Sequence, residues 1–101
     1  REIMIRHICL MKLLESADGR GKDENFAMIK EGMESLVGTI DGLLSTTVLR
    51  GFHPRFDVCV TVECRDRESY AAYGAAPGHQ KMRTFIHRVV EDDRPAFDCE
   101  L

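Results

Sequence analysis

The sequence predicts an α+β fold in which strands and helices follow one another in the order β-α-β-β-α-β. Residues of alternating character, rich in Val, Ile, Leu and Thr, indicate strands over residues 3–14, 43–52, 56–64 and 96–101. Apolar residues repeat at helical spacing over residues 23–37 and 66–90. This order is typical of a ferredoxin-like, four-stranded antiparallel sheet with both helices on one face.

The first strand is largely apolar on both of its faces. One face carries Met4, Ile8, Leu10 and Leu14, and the other carries Ile5, His7, Cys9, Met11 and Leu13. A strand that is apolar on both sides is covered on both sides. Because the helices cover only one face of the sheet, the simplest cover for the other face is a second copy of the chain. The sequence therefore predicts a homodimer whose facing sheets form a dimeric α/β barrel.

Length and composition restrict the class of protein. A chain of 101 residues is expected to form one domain, residues 1–101, around one core. The net charge is −3 without a basic patch, so no nucleic-acid partner is expected. Neither a membrane-spanning run of about 20 apolar residues nor a signal peptide is evident, so we expect no membrane partner and a cytoplasmic location.

The four cysteines are predicted to be reduced and buried on strands. Cys9, Cys59, Cys64 and Cys99 lack the two-residue spacing of zinc or redox motifs. A reduced cysteine on a strand behaves as a small apolar residue. There is also no phosphate-binding loop or nucleotide motif, so we expect neither a metal nor a cofactor.

Local signals place the helix ends. Asp23 is the predicted N-cap of the first helix, and Gly38 suits the left-handed residue that follows its end near Val37. Gly32, inside this helix, is expected where the helix packs closely on the sheet. Asp66 is the predicted N-cap of the second helical segment.

A proline splits that second segment and creates the candidate site. Pro77 ends the helix that contains Tyr73, since the residue before a proline is disfavoured in the α region. His79 then lies at the start of another helix, so the break can hold both side chains at the edge of the core. His7 lies across the gap on the first strand, either as a hydrogen-bonded core histidine or as a cavity-lining group.

Several segments carry a resemblance to a known family. They are residues 5–13, Asp41-Gly42-Leu43, Phe56-Asp57-Val58, residues 73–79 and Phe97-Asp98. In this order and spacing they resemble the stress-responsive α/β-barrel family, the Dabb domain, over nearly the whole chain. The resemblance implies a dimeric α/β barrel with a cavity between the sheet and the helices of each subunit.

Members of that family range from plant stress-associated proteins to a plant polyketide cyclase. Tyr73, Pro77 and His79 match the spacing of the cyclase, and His7 matches its first-strand histidine. A further pocket histidine of the cyclase falls at Val58, so the resemblance implies a different substrate. The predicted pocket for a small apolar or polyketide-like molecule is lined by His7, Val58 and Met82, beside Tyr73 and His79.

The predicted chemistry is proton transfer. A histidine with a pKa near ~6.5 can accept a proton at neutral pH, and a tyrosine with a pKa near ~10 can donate a hydrogen bond to an enolate. The alternative is structural: His79 caps its helix and bonds a backbone group, while Tyr73 packs against the sheet. Three functions therefore stay open: a small-molecule-binding barrel, a cofactor-independent cyclase-like or isomerase-like enzyme, and a structural stress-associated oligomer.

Overall fold

The computed structural model describes residues 3–101 and has the predicted α+β architecture. Its elements are β1 (Ile5–Met11), β2 (Ser16–Ala17), β3 (Arg20–Gly21), α1 (Lys22–Glu34), β4 (Leu43–Arg50), β5 (Val58–Cys64), α2 (Arg67–Ala75), α3 (Pro77–Val89) and β6 (Ala96–Glu100). Four strands form one antiparallel sheet in the order β4-β5-β1-β6. The predicted ferredoxin-like fold is confirmed, with an added hairpin of β2 and β3 between β1 and α1, where no strand was predicted.

The helices cover one face of the sheet, and the core lies beneath them. On β5 this face carries Val58, Val60, Val62 and Cys64, which are all buried, as the alternating pattern predicted. The register pairs these residues with Met11, Cys9, His7 and Ile5 of β1. The same alternation places His7 and Cys9 on the helix-covered face, beneath the helices.

No helix within residues 3–101 covers the opposite face, here called the open face. It carries Arg6, Ile8 and Leu10 of β1, which pair with Glu63, Thr61 and Cys59 of β5. Apolar side chains remain exposed on it: Leu49 is 57% exposed and Phe97 is 63% exposed. The open face therefore has an apolar surface that its own chain leaves in contact with water.

The first helix differs from its prediction at both ends. Its N-cap is Gly21 rather than Asp23, because β3 leads directly into the helix and the Glu24 carboxylate reaches back to the Gly21 amide. The helix ends at Glu34, and Gly38 adopts its predicted positive φ of 90° in the following turn. A Cβ on Gly32 would overlap the Met82 Sδ, so the close packing is against α3 and not against the sheet.

The break at Pro77 is present as predicted. The Asp66 Oδ1 accepts a hydrogen bond from the Ser69 amide at 2.7 Å and so caps α2. Ala76 is extended, with ψ of 136°, and Pro77 begins α3, where a missing amide hydrogen costs nothing. Pro77 therefore ends α2 and begins α3, and only Ala76 separates the two helices.

The β4–β5 connection is longer than predicted. It spans residues 51–57, and Phe52 is fully exposed rather than part of a strand. Asp57, which falls inside the predicted strand 56–64, is instead buried just before β5 begins. Its Oδ1 accepts a hydrogen bond from the Leu13 amide at 2.9 Å, and the ammonium groups of Lys12 and Lys22 both lie 3.7 Å from its Oδ2.

Replacing Asp57 by Ala should lower the free energy of unfolding by about 1–3 kcal/mol, because the buried Leu13 amide loses its acceptor. Asp57→Asn keeps an acceptor oxygen and should cost less. Denaturant unfolding of the two variants measures the difference. Equal stability of wild type and Asp57→Ala would contradict the role given to this carboxylate.

The cysteines are free thiols, as predicted, but only Cys64 is fully buried. Burial raises the pKa of the Cys9 and Cys64 thiols above the ordinary value of 9.0. Cys59 lies on the open face and Cys64 on the helix-covered face, because residues five apart on one strand point to opposite faces. Among residues 3–101, no helix has the length and apolar character needed to cross a membrane.

Candidate functional site

Two adjoining cavities lie between the sheet and the helices. The first, called the sheet cavity, has a volume of about 370 Å³ and lies between β1, β5 and α3. The second, called the helix cavity, has a volume of about 500 Å³ and lies beside α2 and the start of α3. His7, Tyr73 and Arg83 line both cavities, so they mark the boundary where the two meet.

His79 lines the helix cavity, and its protonation is set by its neighbours. The Nδ1 lies 3.2 Å from the Gly74 carbonyl oxygen, which can only accept, so Nδ1 carries a hydrogen and donates it. Burial lowers the pKa of His79 below its ordinary value of 6.5; Arg83 and His7 lower it further, while the hydrogen bond to Gly74 opposes the change. The ring is therefore neutral at pH 7, and Nε2 has a lone pair available for a proton.

Tyr73 is 3% exposed and packs against His79, with 4.2 Å between the ring centroids. Burial raises the pKa of Tyr73 above its ordinary value of 10.0, so the hydroxyl stays protonated. Within residues 3–101, no group forms a hydrogen bond with this hydroxyl. Because Tyr73 lines both cavities and its hydroxyl has no partner in the described part of the chain, the hydroxyl is available to donate to a molecule in the cavity.

His7 belongs to a hydrogen-bonded group with Tyr70 and Asp98. The β1–β6 register places Asp98 opposite His7, and the Asp98 Oδ1 lies 2.5 Å from the His7 Nδ1. The Tyr70 hydroxyl donates to the Asp98 Oδ2 at 3.1 Å and lies 3.0 Å from the same ring nitrogen. Burial and the bond to Asp98 raise the pKa of Tyr70 to about 12. His7 is thus both hydrogen-bonded and cavity-lining, so the two roles that the sequence left open for it occur together.

Arginine and histidine supply all the charged and titratable nitrogen groups around the cavities. Arg83 lines both, Arg67 lines the helix cavity, and Arg94 and His87 line the sheet cavity. Burial lowers the pKa of His87, and the charges of Arg94 and Arg83 lower it further. No Asp or Glu is among the described residues that line either cavity. The site therefore favours an anionic or hydrogen-bond-accepting molecule over a cationic one.

The structure brings together three of the five residues predicted for the site. His7, Tyr73 and His79 all line the helix cavity. Val58 is buried in the core, opposite Met11 and Arg50 in the sheet, and lines neither cavity. Met82 packs against Gly32 of α1 and lies on the other side of α3 from these cavities.

Sequence reasoning missed Arg83, Tyr70 and Asp98. Arg83 follows His79 by four residues and Tyr70 precedes Tyr73 by three, so both pairs share a helix face. That spacing was visible in the sequence. Asp98 could not be found in this way, because its contact with His7 depends on the register of β1 with β6.

No described residues form a group of three or more His, Cys, Asp or Glu side chains that could hold a metal ion. The side chains that line the cavities include the neutral imidazole of His79, the unpartnered phenol of Tyr73 and the guanidinium groups of Arg67, Arg83 and Arg94. Together these groups can take up a proton, donate a hydrogen bond to a developing oxyanion and attract an anion.

Comparisons with known proteins agree with the fold. The family model described as the Stress responsive A/B Barrel Domain (Dabb) matches residues 5–101. No curated protein matches the sequence.

Solved structures match the chain over nearly its full length. A dimeric protein with a ferredoxin-like fold from Bacteroides fragilis is 22% identical, with a TM-score of 0.79, and the match covers 97% of this chain and 96% of the other. A dimeric ferredoxin-like protein from Thermobifida fusca is 18% identical, with a TM-score of 0.83 and coverage of 100% and 93%. SnoaB, a cofactor-independent oxygenase from Streptomyces nogalater, is 13% identical, with a TM-score of 0.71 and coverage of 93% and 90%.

Proposed function

The chain belongs to the stress-responsive A/B barrel (Dabb) domain family, and from this premise we propose that it is a homodimeric barrel that binds a small organic molecule and transfers a proton on it. The observation that carries the proposal is the pairing of His79 with Tyr73 beside the cavities. The hydrogen bond to Gly74 leaves the His79 Nε2 unprotonated, and the Tyr73 hydroxyl has no partner within residues 3–101. A base and a hydrogen-bond donor in one cavity are the two groups that enolate formation requires.

The proposed step is abstraction of a proton next to a carbonyl group. The C–H bond breaks, its proton moves to the His79 Nε2, and its electron pair moves onto the carbonyl oxygen. The Tyr73 hydroxyl donates a hydrogen bond to that oxygen as negative charge develops. In isomerisation the enolate takes the proton back from His79 at another carbon. In cyclisation the enolate carbon attacks a second carbonyl carbon, and the oxygen of that carbonyl takes the proton from His79.

In this proposal the group formed by His7, Tyr70 and Asp98 positions the ligand. The Asp98 carboxylate accepts a hydrogen bond from the His7 Nδ1 and so fixes the orientation of the ring. The remaining ring nitrogen is then the one that can meet a ligand in the cavity. His7 is therefore assigned a positioning role and not the role of base.

The homodimer is proposed from the open face and from the structural neighbours. Two neighbours are described as dimeric, and both share this fold over more than nine-tenths of the chain. The exposed apolar side chains of Leu49 and Phe97 lie on the face that a second sheet would cover. A purely structural oligomer is the less favoured function, because it gives no reason for an unpartnered phenol beside a neutral imidazole. The same fold occurs in SnoaB, which is described as a cofactor-independent oxygenase, and this supports a reaction without a cofactor.

The test is a panel of simple ketones and oxo acids with alkyl tails, incubated with the protein in heavy water. Exchange of the protons next to each carbonyl is followed by NMR, and binding is followed by thermal shift. At least one compound should stabilise the protein and exchange faster than in an equal concentration of free imidazole. If no compound shifts the unfolding temperature or exchanges above the imidazole control, the proposal is wrong.

A further inference from the structure

We propose that the molecule bound at this site is a monocarboxylate with an apolar tail, and that Arg83 binds its carboxylate. This inference rests on the proposed function and names its substrate class.

Arg83 differs from every other described arginine in its ion pairing. Residues 3–101 contain nine arginines, and eight of them have a carboxylate oxygen within 4.0 Å. Among these nine, only Arg83 has no such partner, although the chain contains 17 acidic residues against 14 Lys and Arg residues. A guanidinium left unpaired by an acidic protein, and placed on two cavities, has the geometry to receive a carboxylate from a ligand.

The surroundings of Arg83 strengthen the attraction for an anion. Arg94 and His87 line the same sheet cavity, and no Asp or Glu is among the described residues of either lining. Charges of one sign around a concave site raise the local concentration of the opposite charge. The Arg94 guanidinium is already paired, at 3.7 Å from the Asp92 carboxylate. Arg83 can therefore bind a ligand carboxylate without first breaking an ion pair.

The rest of the sheet cavity suits a hydrocarbon chain. Its remaining lining is largely apolar and comes from five elements of the fold, and Met11, Met33, Val60 and Ile86 in it are all buried. A carboxylate held by Arg83 at the boundary of the two cavities leaves the tail beside these residues. The carbons nearest the carboxylate then lie at the boundary of the two cavities, beside Tyr73, which lines both and packs against His79.

A carboxylate is favoured over a phosphate by charge and by shape. The planar guanidinium fork matches a carboxylate through two parallel hydrogen bonds. A dianionic phosphate calls for a second unpaired cation. Arg67 cannot supply one freely, since its Nε lies 3.1 Å from the Glu100 carboxylate.

The test compares octanoate with octanamide, which has the same tail and no charge. Calorimetric titration of the wild type should give tighter binding of octanoate by roughly 10- to 100-fold, the range of a charge-assisted hydrogen bond. Arg83→Gln should remove this preference and leave octanamide binding unchanged. Arg88→Gln is the matched control, because it removes the same charge from α3 at a residue that is paired with Asp18 and lines neither cavity.

The outcomes separate this inference from the proposed function. Equal affinity of the wild type for octanoate and octanamide would overturn the carboxylate assignment and leave small-molecule binding standing. A preference for octanoate that survives in Arg83→Gln would overturn the role of Arg83. Failure of both compounds and of the ketone panel to bind would overturn both proposals. The comparison of the two compounds on the wild type decides the carboxylate assignment even if the variant does not fold.

Discussion

Replacement of His79 by Ala should slow proton transfer from a bound ketone by a factor on the order of 10²–10⁴, the usual contribution of a general base. The physical reason is that the substitution removes the Nε2 lone pair that the Gly74 carbonyl keeps unprotonated. Exchange of deuterium into the ligand measures the rate. Ligand affinity should change little, because the same cavity retains Tyr73, His7 and Arg83.

Two further variants make this result specific. Tyr73→Phe should cost less than His79→Ala, since one hydrogen bond to the developing oxyanion is lost while the base remains. His53→Ala is the control, because His53 lies exposed in the β4–β5 connection. Equal exchange rates in wild type and His79→Ala would show that the base lies elsewhere, and the hydrogen bond to Gly74 would then be structural.

The pH dependence of the same reaction follows from the lowered pKa of His79. Only the neutral imidazole can accept a proton, so the rate falls as pH falls through the pKa of the ring. Because burial, Arg83 and His7 lower that pKa, the fall should occur below the ordinary value of 6.5, and the rate should stay level from pH 8 to about that value. A rate that already falls by half above pH 7 would contradict the environment described for His79.

The residues that sequence analysis placed correctly are those whose signals are local. The Asp66 cap, the break at Pro77 and the alternation of β5 each depend on neighbours within a few positions, and all three are present. The end of α1 was misplaced, because Leu36 stays buried in the turn after the helix and extends the apolar periodicity past Glu34. Burial alone does not distinguish a helical turn from the loop that follows it.

The candidate site was predictable only in part for the same reason. Tyr73 and His79 are separated by a single helix break, so their proximity could be read from the sequence. The partner of His7 is 91 residues away, and only the pairing of β1 with β6 brings Asp98 to it. Arg83 stands out because it is the one described arginine without a carboxylate within 4.0 Å. The sequence does not show which arginines form ion pairs, so this feature could be seen only in the structure.

Replacement of Leu10 by Asp should abolish the homodimer at micromolar concentration. Leu10 lies on the open face of β1, a central strand of the sheet, and is 36% exposed in the single chain. A two-fold interface uses this position twice, so the exposed third of two leucines loses its apolar contact, at about 0.5–1 kcal/mol each. Two carboxylates also lose water without a partner. The dissociation constant should therefore rise by at least roughly 10³-fold, since each 1.4 kcal/mol is a factor of ten.

Sedimentation velocity of wild type and variant measures this change, and the control is Met28→Asp. Met28 is 41% exposed, close to the value for Leu10, but it lies on α1 rather than on the open face. The control should sediment as a dimer with the wild type, because its new charge stays in water. A Leu10→Asp variant that remains dimeric would place the contact on another surface, and a wild type that is monomeric at micromolar concentration would contradict the barrel itself. One chain supplies all the residues that line both cavities, so we expect each subunit to carry a complete site. Ligand binding should therefore persist when the dimer dissociates.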